Sequence, residues 1–364
     1  MSAHKQNGKA GNGAADLALA YEIEAGIYRR RICPVSVPFD GPLGPYELVH
    51  DDHEKRVHAQ VEQTTSGRRL WWLLDRLSEG ERSSYRLQPG APPNGKPQRV
   101  RWRPSAFGWR ASVRKEFIAE LLTPTNGAPK FSFRIDGKRT STLSTANRPT
   151  PMHRHRVGDP VIVEGSVFAS LAVDYKYLDK LDRTLAVEKH YFRVFDGPAS
   201  VLLVDWIVTV EATAGPLPMD AEHGWMPTVM IDPAGDSLVA ADSGWRNVDV
   251  VDRPGALVSL TVEDRTTSLM IRSDSAGFPF RWTVKGEHNL EARPDLEGKR
   301  LAAGESLTFH LRMASMSGKN RLYIHDRYMD FDVPPTVTHV RVEQSAAPAA
   351  APPPAAESAA PANG

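Results

Sequence analysis

The sequence has a single cysteine, Cys33, no excess of charge of one sign, and no long apolar run. One thiol excludes an intramolecular disulfide and a multi-cysteine zinc site, and it is typical of a reducing compartment. The 45 basic and 44 acidic side chains give a net charge of +1, too little to attract nucleic acid. Neither a span of roughly 20 apolar residues nor the apolar region of a signal peptide is present. We therefore expect a soluble, cytoplasmic protein without nucleic-acid or membrane partners.

The familiar catalytic motifs are also missing. The chain has no Gly-x-Ser-x-Gly, no phosphate-binding loop, no dinucleotide-binding glycine pattern and no His-Glu-x-x-His. Each of these motifs places a nucleophile, a phosphate or a zinc ion at a defined turn or helix face. Nucleotide-dependent and serine-hydrolase functions therefore have no support from motifs.

Short segments rich in valine, isoleucine, phenylalanine and threonine dominate the chain and predict β-strands. The 29 prolines and 27 glycines are spread throughout and disfavour long helices. We interpret RRLWWLLDRL, residues 68–77, as a strand, and HDDHEKRVH, residues 50–58, as a charged hairpin turn. The other predicted strands include CPVSVPF, VHAQVEQ, FSFRI, HYFRVF, SVLLVDWIVTVEA, ALVSLTVED, TSLMIRS, FRWTVKG and SLTFHLRMAS.

The composition divides the chain into two predicted β domains with unstructured ends. QPGAPPNGKPQ, residues 88–98, is rich in proline and glycine and predicts a boundary or a long loop. We expect a disordered N-terminus at 1–15, a small β domain at 16–98, a large antiparallel β-sandwich at 99–342, and a disordered Ala/Pro-rich tail at 343–364. The predicted fold class is all-β.

The stretch NRPTPMHRHRVGDP, residues 147–160, has two histidines two positions apart in a proline-rich frame. On a strand, His153 and His155 point to one face, and Arg154 and Arg156 point to the other or diverge at a bend. The two imidazoles then converge on a metal ion or an anionic group. The alternative is a polar strand edge whose side chains all face solvent.

VEKHYF supplies a second pair with the same spacing, Glu188 and His190. If this strand lies beside the first pair, His153, His155, Glu188 and His190 form a candidate site for a divalent metal, which the sequence does not identify. Imidazole and carboxylate ligands suit zinc, manganese, iron or nickel. The alternative is a solvent-facing polar stripe on an amphipathic strand.

DAEHGWMP contains Glu222, His223 and Trp225 and predicts a sugar-binding loop. Aromatic faces stack on the apolar faces of pyranose rings, and charged groups bind the hydroxyls. The alternative is a loop that contributes a buried tryptophan to the core. The same two interpretations apply to Trp245 and Trp282.

Taken in order, the strand blocks resemble a bacterial family of PmoA-like proteins, described as "methane oxygenase PmoA", over roughly residues 21–332. The family signature Pro…His-x-His-His-Arg-Gly is matched by RPTPMHRHR at His153, His155 and Arg156. Arg154 stands where the signature has its middle histidine, and no glycine follows Arg156. LAVEKHYFRV resembles the family's strand with a glutamate, here Glu188.

Two further blocks, DSGWRNVDV and LAAGESLTFHLRM, resemble a tryptophan-containing strand and the final strand of the same family. The resemblance implies a β-sandwich of the kind found in sugar mutarotases and polysaccharide lyases. It also implies work on carbohydrates. The family's methane-oxygenase description does not fit literally, because a membrane methane monooxygenase needs transmembrane helices.

The first functional hypothesis is a carbohydrate-active enzyme, namely a lyase, hydrolase or epimerase acting on a sugar or sugar acid. His153 or His155 is then the general acid or base, Arg156 holds a carboxylate or hydroxyl, and Glu188 is the partner base. The substrate is a small molecule or an oligosaccharide, and a homo-oligomer is compatible with the sequence. The predicted substrate-binding residues are His223, Trp225 and Trp245.

Two alternatives stay open. The first is a non-catalytic β-sandwich that binds glycans or assembles with partners. The loss of the middle histidine of the family signature favours this alternative. The second is a metal-dependent oxygenase, because a non-haem iron site needs two histidines and one carboxylate on one face.

Overall fold

The computed structural model describes the central part of the chain with several gaps. The described residues are 19–90, 100–106, 108–113, 117–126, 129–135, 138–145, 153–195, 201–219, 229–233, 238–239, 250–253, 255–262, 265–273, 280–285, 289–294, 296, 298–317, 330 and 333–341. The predicted disordered ends, 1–15 and 343–364, and most of the predicted boundary at 88–98 lie outside these residues. Within the described part, no helix is long and apolar enough to cross a membrane.

All of the elements bounded in the described part are β-strands, which confirms the all-β prediction. Numbered in chain order, they are β1 (Leu19–Glu24), β2 (Arg30–Pro38), β3 (Pro45–His50), β4 (Arg56–Thr64), β5 (Gly67–Leu77), β6 (Arg82–Pro89), β7 (Trp102–Ser105), β8 (Gly108–Val113), β9 (Phe117–Leu122), β10 (Lys130–Ile135), β11 (Lys138–Thr145), β12 (His153–Glu164), β13 (Phe168–Leu178), β14 (Thr184–Phe195), β15 (Val201–Ala212), β16 (Leu217–Pro218), β17 (Val229–Pro233), β18 (Leu238–Val239), β19 (Val250–Arg253), β20 (Gly255–Val262), β21 (Arg265–Ser273), β22 (Phe280–Lys285), β23 (Asn289–Pro294), β24 (Arg300–Leu301), β25 (Ser306–Ser317) and β26 (Thr336–Arg341).

The first sheet has seven antiparallel strands in the order β2-β5-β4-β3-β6-β1-β26. β5 contains RRLWWLLDRL, so this segment is a strand, and β3 and β4 form the hairpin predicted around HDDHEKRVH. β26 pairs with β1 from Leu19↔Arg341 to Glu24↔Thr336. The sequence grouped this last strand with the large domain, but its hydrogen bonds place it in the first sheet.

Two larger sheets form an antiparallel sandwich. One has the order β19-β22-β23-β17-β11-β10-β9-β8-β7, and the other has the order β12-β13-β14-β15-β25-β21-β20-β18. Their facing sides share one apolar core, in which Phe131 of β10 stacks on Phe192 of β14. Trp102 of β7 donates its indole N–H to the Ala169 carbonyl of β13, 3.2 Å away. We call the side of the eight-stranded sheet that faces this core its inner face.

The outer face of the eight-stranded sheet is covered in part by the first sheet. Gln60 of β4 accepts hydrogen bonds from the backbone N–H groups of Val167 and Phe168, at 3.0 and 3.1 Å. Trp71 of β5 packs edge-on against Phe168. This contact explains why β13 and β14 are buried on both faces at their 168 and 195 ends, where alternation alone predicts one exposed face.

A chain of charges, the interface network (Glu62, Arg193, Asp205 and Arg312), crosses this contact. Arg193 of β14 donates from two nitrogens to the two carboxylate oxygens of Glu62, both at 2.9 Å, and from its third to Asp205 at 3.3 Å. Arg312 of β25 binds Asp205 through two bonds of 2.7 and 3.1 Å. Trp71 and Tyr191 donate further hydrogen bonds to Glu62. Each carboxylate in the network is therefore buried with strong partners.

The interface network predicts a loss of stability in acid. Burial is the largest single influence on Asp205 and raises its pKa, but Arg312 and His310 together more than offset burial and hold the pKa far below its usual range. Because the folded pKa lies below the unfolded value of about 3.9, Asp205 stabilises the fold fully above that pH. Its contribution falls as the pH drops below about 4, with a slope of up to about 1.4 kcal/mol per pH unit.

Urea unfolding at pH values between 6 and 2 measures this effect. The Asp205→Asn variant is the control, because it lacks the titrating group and should show a shallower pH dependence below pH 4. Equal slopes in the two proteins would contradict the prediction.

Candidate functional site

His153 and His155 lie on β12 and point to the outer face of the eight-stranded sheet. The side chain of His153 is 52% exposed, and its Nε2 is 3.3 Å from Oδ1 of Asp182. His155 is exposed as well, and its Nδ1 is 3.1 Å from Oδ1 of Asn126. The two imidazoles share a face, as their spacing predicts, but each contacts a different surface partner.

Arg154, between the two histidines, points into the sandwich and is 6% exposed. β12 pairs with β13 so that Arg154 lies opposite Tyr177. β13 pairs with β14 so that Tyr175 lies opposite Glu188. Side chains directly opposite each other in antiparallel strands share a face. The register therefore brings Arg154, Tyr175 and Glu188 together on the inner face, and His190 follows Glu188 two positions later.

These four side chains form a buried polar group, which we call the inner cluster (Arg154, Tyr175, Glu188 and His190). Glu188 and Tyr175 are fully buried, and His190 is 1% exposed. Arg154 Nη2 donates to Glu188 Oε1 at 3.2 Å and to the hydroxyl of Tyr177 at 2.6 Å. Arg154 Nε lies 2.8 Å from the other oxygen, Oε2, without the angle of a hydrogen bond. The charges of Arg154 and Glu188 therefore cancel within the core.

The ion pair keeps Glu188 ionised. Burial is the largest single influence on Glu188 and raises its pKa, but Arg154 and His190 together more than offset burial and leave the pKa below its usual range. Burial is the largest influence on Tyr175, and it raises the pKa of this phenol above its usual value despite the nearby Arg154. At neutral pH the inner cluster thus holds a carboxylate, a guanidinium and a protonated phenol.

His190 joins the inner cluster through both ring nitrogens. The indole N–H of Trp206 donates to Nδ1 at 3.0 Å, so Nδ1 carries the lone pair. The proton of the neutral ring is then on Nε2, which lies 3.2 Å from Glu188 Oε1. This N–H is not directed at the oxygen, because the contact lacks hydrogen-bond geometry.

Four buried polar atoms of the inner cluster make no hydrogen bond of good geometry among the described residues: Arg154 Nε, Tyr175 Oη, Glu188 Oε2 and His190 Nε2. Three of them are in ionic contact, Arg154 Nε with Glu188 Oε2 at 2.8 Å and His190 Nε2 with Glu188 Oε1 at 3.2 Å. A buried polar group without a partner costs about 1–3 kcal/mol, and native structures contain few of them. A bound molecule that both donates and accepts hydrogen bonds would satisfy these atoms. Their concentration in one place distinguishes the inner cluster from the interface network.

The inner cluster lies close to a sheet edge. β12 is the edge strand of its sheet, and Arg156 on the same strand is only part-buried, with its side chain 24% exposed. Arg156 donates to the carbonyl and hydroxyl of Thr123, at 2.8 and 3.2 Å. Exposure therefore increases from Glu188 through Arg154 to Arg156.

The structure separates the two pairs that the sequence combined into a metal site. Glu188 and His190 lie on the inner face, and His153 and His155 lie on the outer face one strand beyond β13. Within the described ranges, no group of three or more His, Cys, Asp or Glu side chains is placed to hold a metal ion.

The predicted sugar-binding residues fall in gaps of the structure. His223, Trp225 and Trp245 lie outside the described residues, as does Glu222. Trp282 is part of β22, whose backbone is described. The role of these residues stays a prediction.

Sequence reasoning missed Arg154, Tyr175 and Trp206 as members or neighbours of a site. One signal was present: alternation places Arg154 opposite in direction to the histidines, and places Tyr175 and Tyr177 of DYKY on one shared face. Sequence alone did not show that this face of β12 and β13 is the buried one.

Comparison of the chain with protein-family models and with curated proteins finds no match. The fold and the site define an all-β sandwich protein with a charge-balanced polar cluster in its core. The resemblance to PmoA-like proteins stays a prediction, so a function must be argued from the geometry of the inner cluster.

Proposed function

We propose that this protein is a carbohydrate-active enzyme that transfers protons to and from a sugar or sugar acid at the inner cluster. The observation that supports this proposal most directly is the set of four buried polar atoms that make no hydrogen bond of good geometry among the described residues. Proteins rarely retain such atoms in a core unless a ligand or a functional constraint requires them.

The inner cluster is complementary to hydroxyl groups. Glu188 Oε2 can accept a hydrogen bond, Arg154 Nε and His190 Nε2 can donate one, and none of the three makes a hydrogen bond of good geometry in the cluster. A sugar hydroxyl donates one hydrogen bond and accepts two, so one or two adjacent hydroxyls would satisfy these atoms at once. An apolar ligand would offer these atoms no hydrogen bond.

The chemistry that follows from these residues is paired acid and base catalysis. The ionised Glu188 accepts a proton from the substrate, and the Nε2–H of His190 or the phenol of Tyr175 returns a proton to another oxygen. The fixed charge of Arg154 stabilises an oxyanion or enolate as negative charge develops. In an elimination, Glu188 takes the carbon-bound proton as the bond to the leaving oxygen breaks, and that oxygen takes the proton from His190 or Tyr175. In an epimerisation, the acid instead returns the proton to the opposite face of the same carbon. Arg156, the more exposed arginine of β12, would bind a carboxylate if the substrate is a sugar acid.

Replacing Glu188 with glutamine tests the proposal. We expect the catalytic rate to fall by roughly 10²- to 10⁴-fold, because a positioned general base contributes about that factor. The measurement is proton NMR in D₂O with a panel of aldoses and hexuronic acids. It follows interconversion of epimers, exchange of carbon-bound protons, and formation of unsaturated products.

The control is the double variant His153→Ala/His155→Ala, which removes two imidazoles from the opposite face of β12. If the inner cluster is the site, this variant keeps the wild-type rate and Glu188→Gln loses it. The reverse result would move the site to the outer face. Binding of a sugar without turnover by the wild-type protein would support the glycan-binding alternative instead.

A further inference from the structure

Trp206 lies behind His190 in the core, on the side away from Glu188. It is fully buried on β15, opposite Phe192 in the register with β14, and its ring stacks on Phe192 with centroids 5.1 Å apart. Its one polar atom, Nε1, donates to His190 Nδ1 at 3.0 Å. The proton-transfer scheme above does not use Trp206.

This hydrogen bond restricts His190 to one form. Indole nitrogen is a donor only, so His190 Nδ1 must present a lone pair to it. The Nδ1–H tautomer and the imidazolium ion would each place a second N–H against the indole N–H, leaving both buried donors without an acceptor. Such a contact in a core costs at least the 1–3 kcal/mol of a buried unsatisfied group.

Groups of both charges surround His190. Glu188 faces it from the same strand at 3.2 Å, and a carboxylate at that distance attracts an imidazolium. Arg154 faces the cluster from β12 with the opposite charge, and Tyr175 of β13 lies edge-on with ring centroids 5.6 Å apart. A proton shared between Glu188 and His190 would occupy the carboxylate that is to accept the substrate's proton.

We propose that Trp206 is a positioning residue that holds His190 as the neutral Nε2–H tautomer beside the ionised Glu188. It thereby separates the two roles, with Glu188 as the proton acceptor and His190 as the proton donor. The assignment of these catalytic roles rests on the proposed function. The tautomer itself is a property of the ligand-free protein.

The direct test is nitrogen NMR of the full chain labelled with ¹⁵N histidine and ¹⁵N tryptophan, without any sugar. We expect His190 at neutral pH to show an unprotonated Nδ1, a protonated Nε2, and a coupling through the hydrogen bond between Trp206 Nε1 and His190 Nδ1. An Nδ1–H tautomer or an imidazolium ion in the wild-type protein would overturn the proposal. This result does not depend on any activity.

Trp206→Phe and Trp102→Phe provide a matched pair of variants. Both remove an indole N–H from the same core, but Trp102 donates to a backbone carbonyl away from His190. We expect Trp206→Phe to add a second form of His190 to the spectrum and Trp102→Phe to leave the single form. A single unchanged tautomer in folded Trp206→Phe would overturn the positioning role.

Activity separates this proposal from the proposed function. On a sugar that the wild-type protein turns over, Trp206→Phe is expected to lower the rate by roughly 10- to 100-fold, part of what an acid–base pair contributes, and to alter its pH profile. Trp102→Phe should keep the wild-type profile. A third outcome is that Trp206→Phe changes the His190 tautomer but the wild-type protein turns over none of the sugars. This outcome would refute the proposed function and would still support the positioning of His190 by Trp206.

Discussion

Replacing Arg193 with methionine is expected to lower the free energy of unfolding by about 3–5 kcal/mol, because it leaves the buried carboxylate of Glu62 without the guanidinium that binds it. Arg193 is 5% exposed and joins Glu62 of the first sheet to Asp205 of the eight-stranded sheet. Without the guanidinium, Glu62 loses both of its ionic hydrogen bonds. Chemical denaturation followed by tryptophan fluorescence measures the change.

The matched control is Arg110→Met. Arg110 is also paired with a glutamate, Glu120 on the neighbouring strand, but its side chain is 48% exposed. Exposed ion pairs contribute about 0–1 kcal/mol, so this variant should unfold near the wild-type denaturant concentration. Similar losses for Arg110→Met and Arg193→Met would show that the interface network contributes no more than a surface pair.

The second large effect is expected in the inner cluster, where a second substitution should restore stability without restoring activity. Arg154→Met leaves the buried charge of Glu188 alone and should cost about 3–5 kcal/mol. Adding Glu188→Leu removes that charge and should recover most of the loss, since a buried ion pair replaced by apolar residues is often neutral in stability. Activity should be absent from both variants.

A double-mutant cycle with Arg154→Met, Glu188→Leu and their combination measures this coupling. A stable and inactive double variant would show that the ion pair is retained for the reaction and not for the fold. A double variant that is active would contradict the proposed function. One that is as unstable as Arg154→Met would show that the cluster is needed for folding in its own right.

Local features made the strands predictable. Strand and turn propensities act over a few neighbouring residues. RRLWWLLDRL could therefore be interpreted as a strand, and HDDHEKRVH as a hairpin turn, without tertiary information. β26 could not be placed in the same way. A strand's partner depends on which sheet edge is open, and β1 lies more than 300 residues away along the chain.

The candidate site was predictable only in part. The spacing of Glu188 and His190 indicated a pair on one face, and their buried position on β14 agrees with that pattern. The histidine signature drew attention to His153 and His155, whose residue types suggest chemistry more strongly than an arginine does. Arg154 was the member of that segment that reaches Glu188, and two strand registers in succession were needed to find it.

By itself, the sequence determined an all-β chain, because strand propensity and turn residues act over a few positions. It also determined which side chains of β12 share a face, since alternation along a strand follows from backbone geometry. Only the tertiary structure decided which of the two faces is buried. Both faces of β12 carry polar residues, so no apolar pattern marks the inner one, and packing against the nine-stranded sheet turns Arg154 inward and leaves the histidines in solvent.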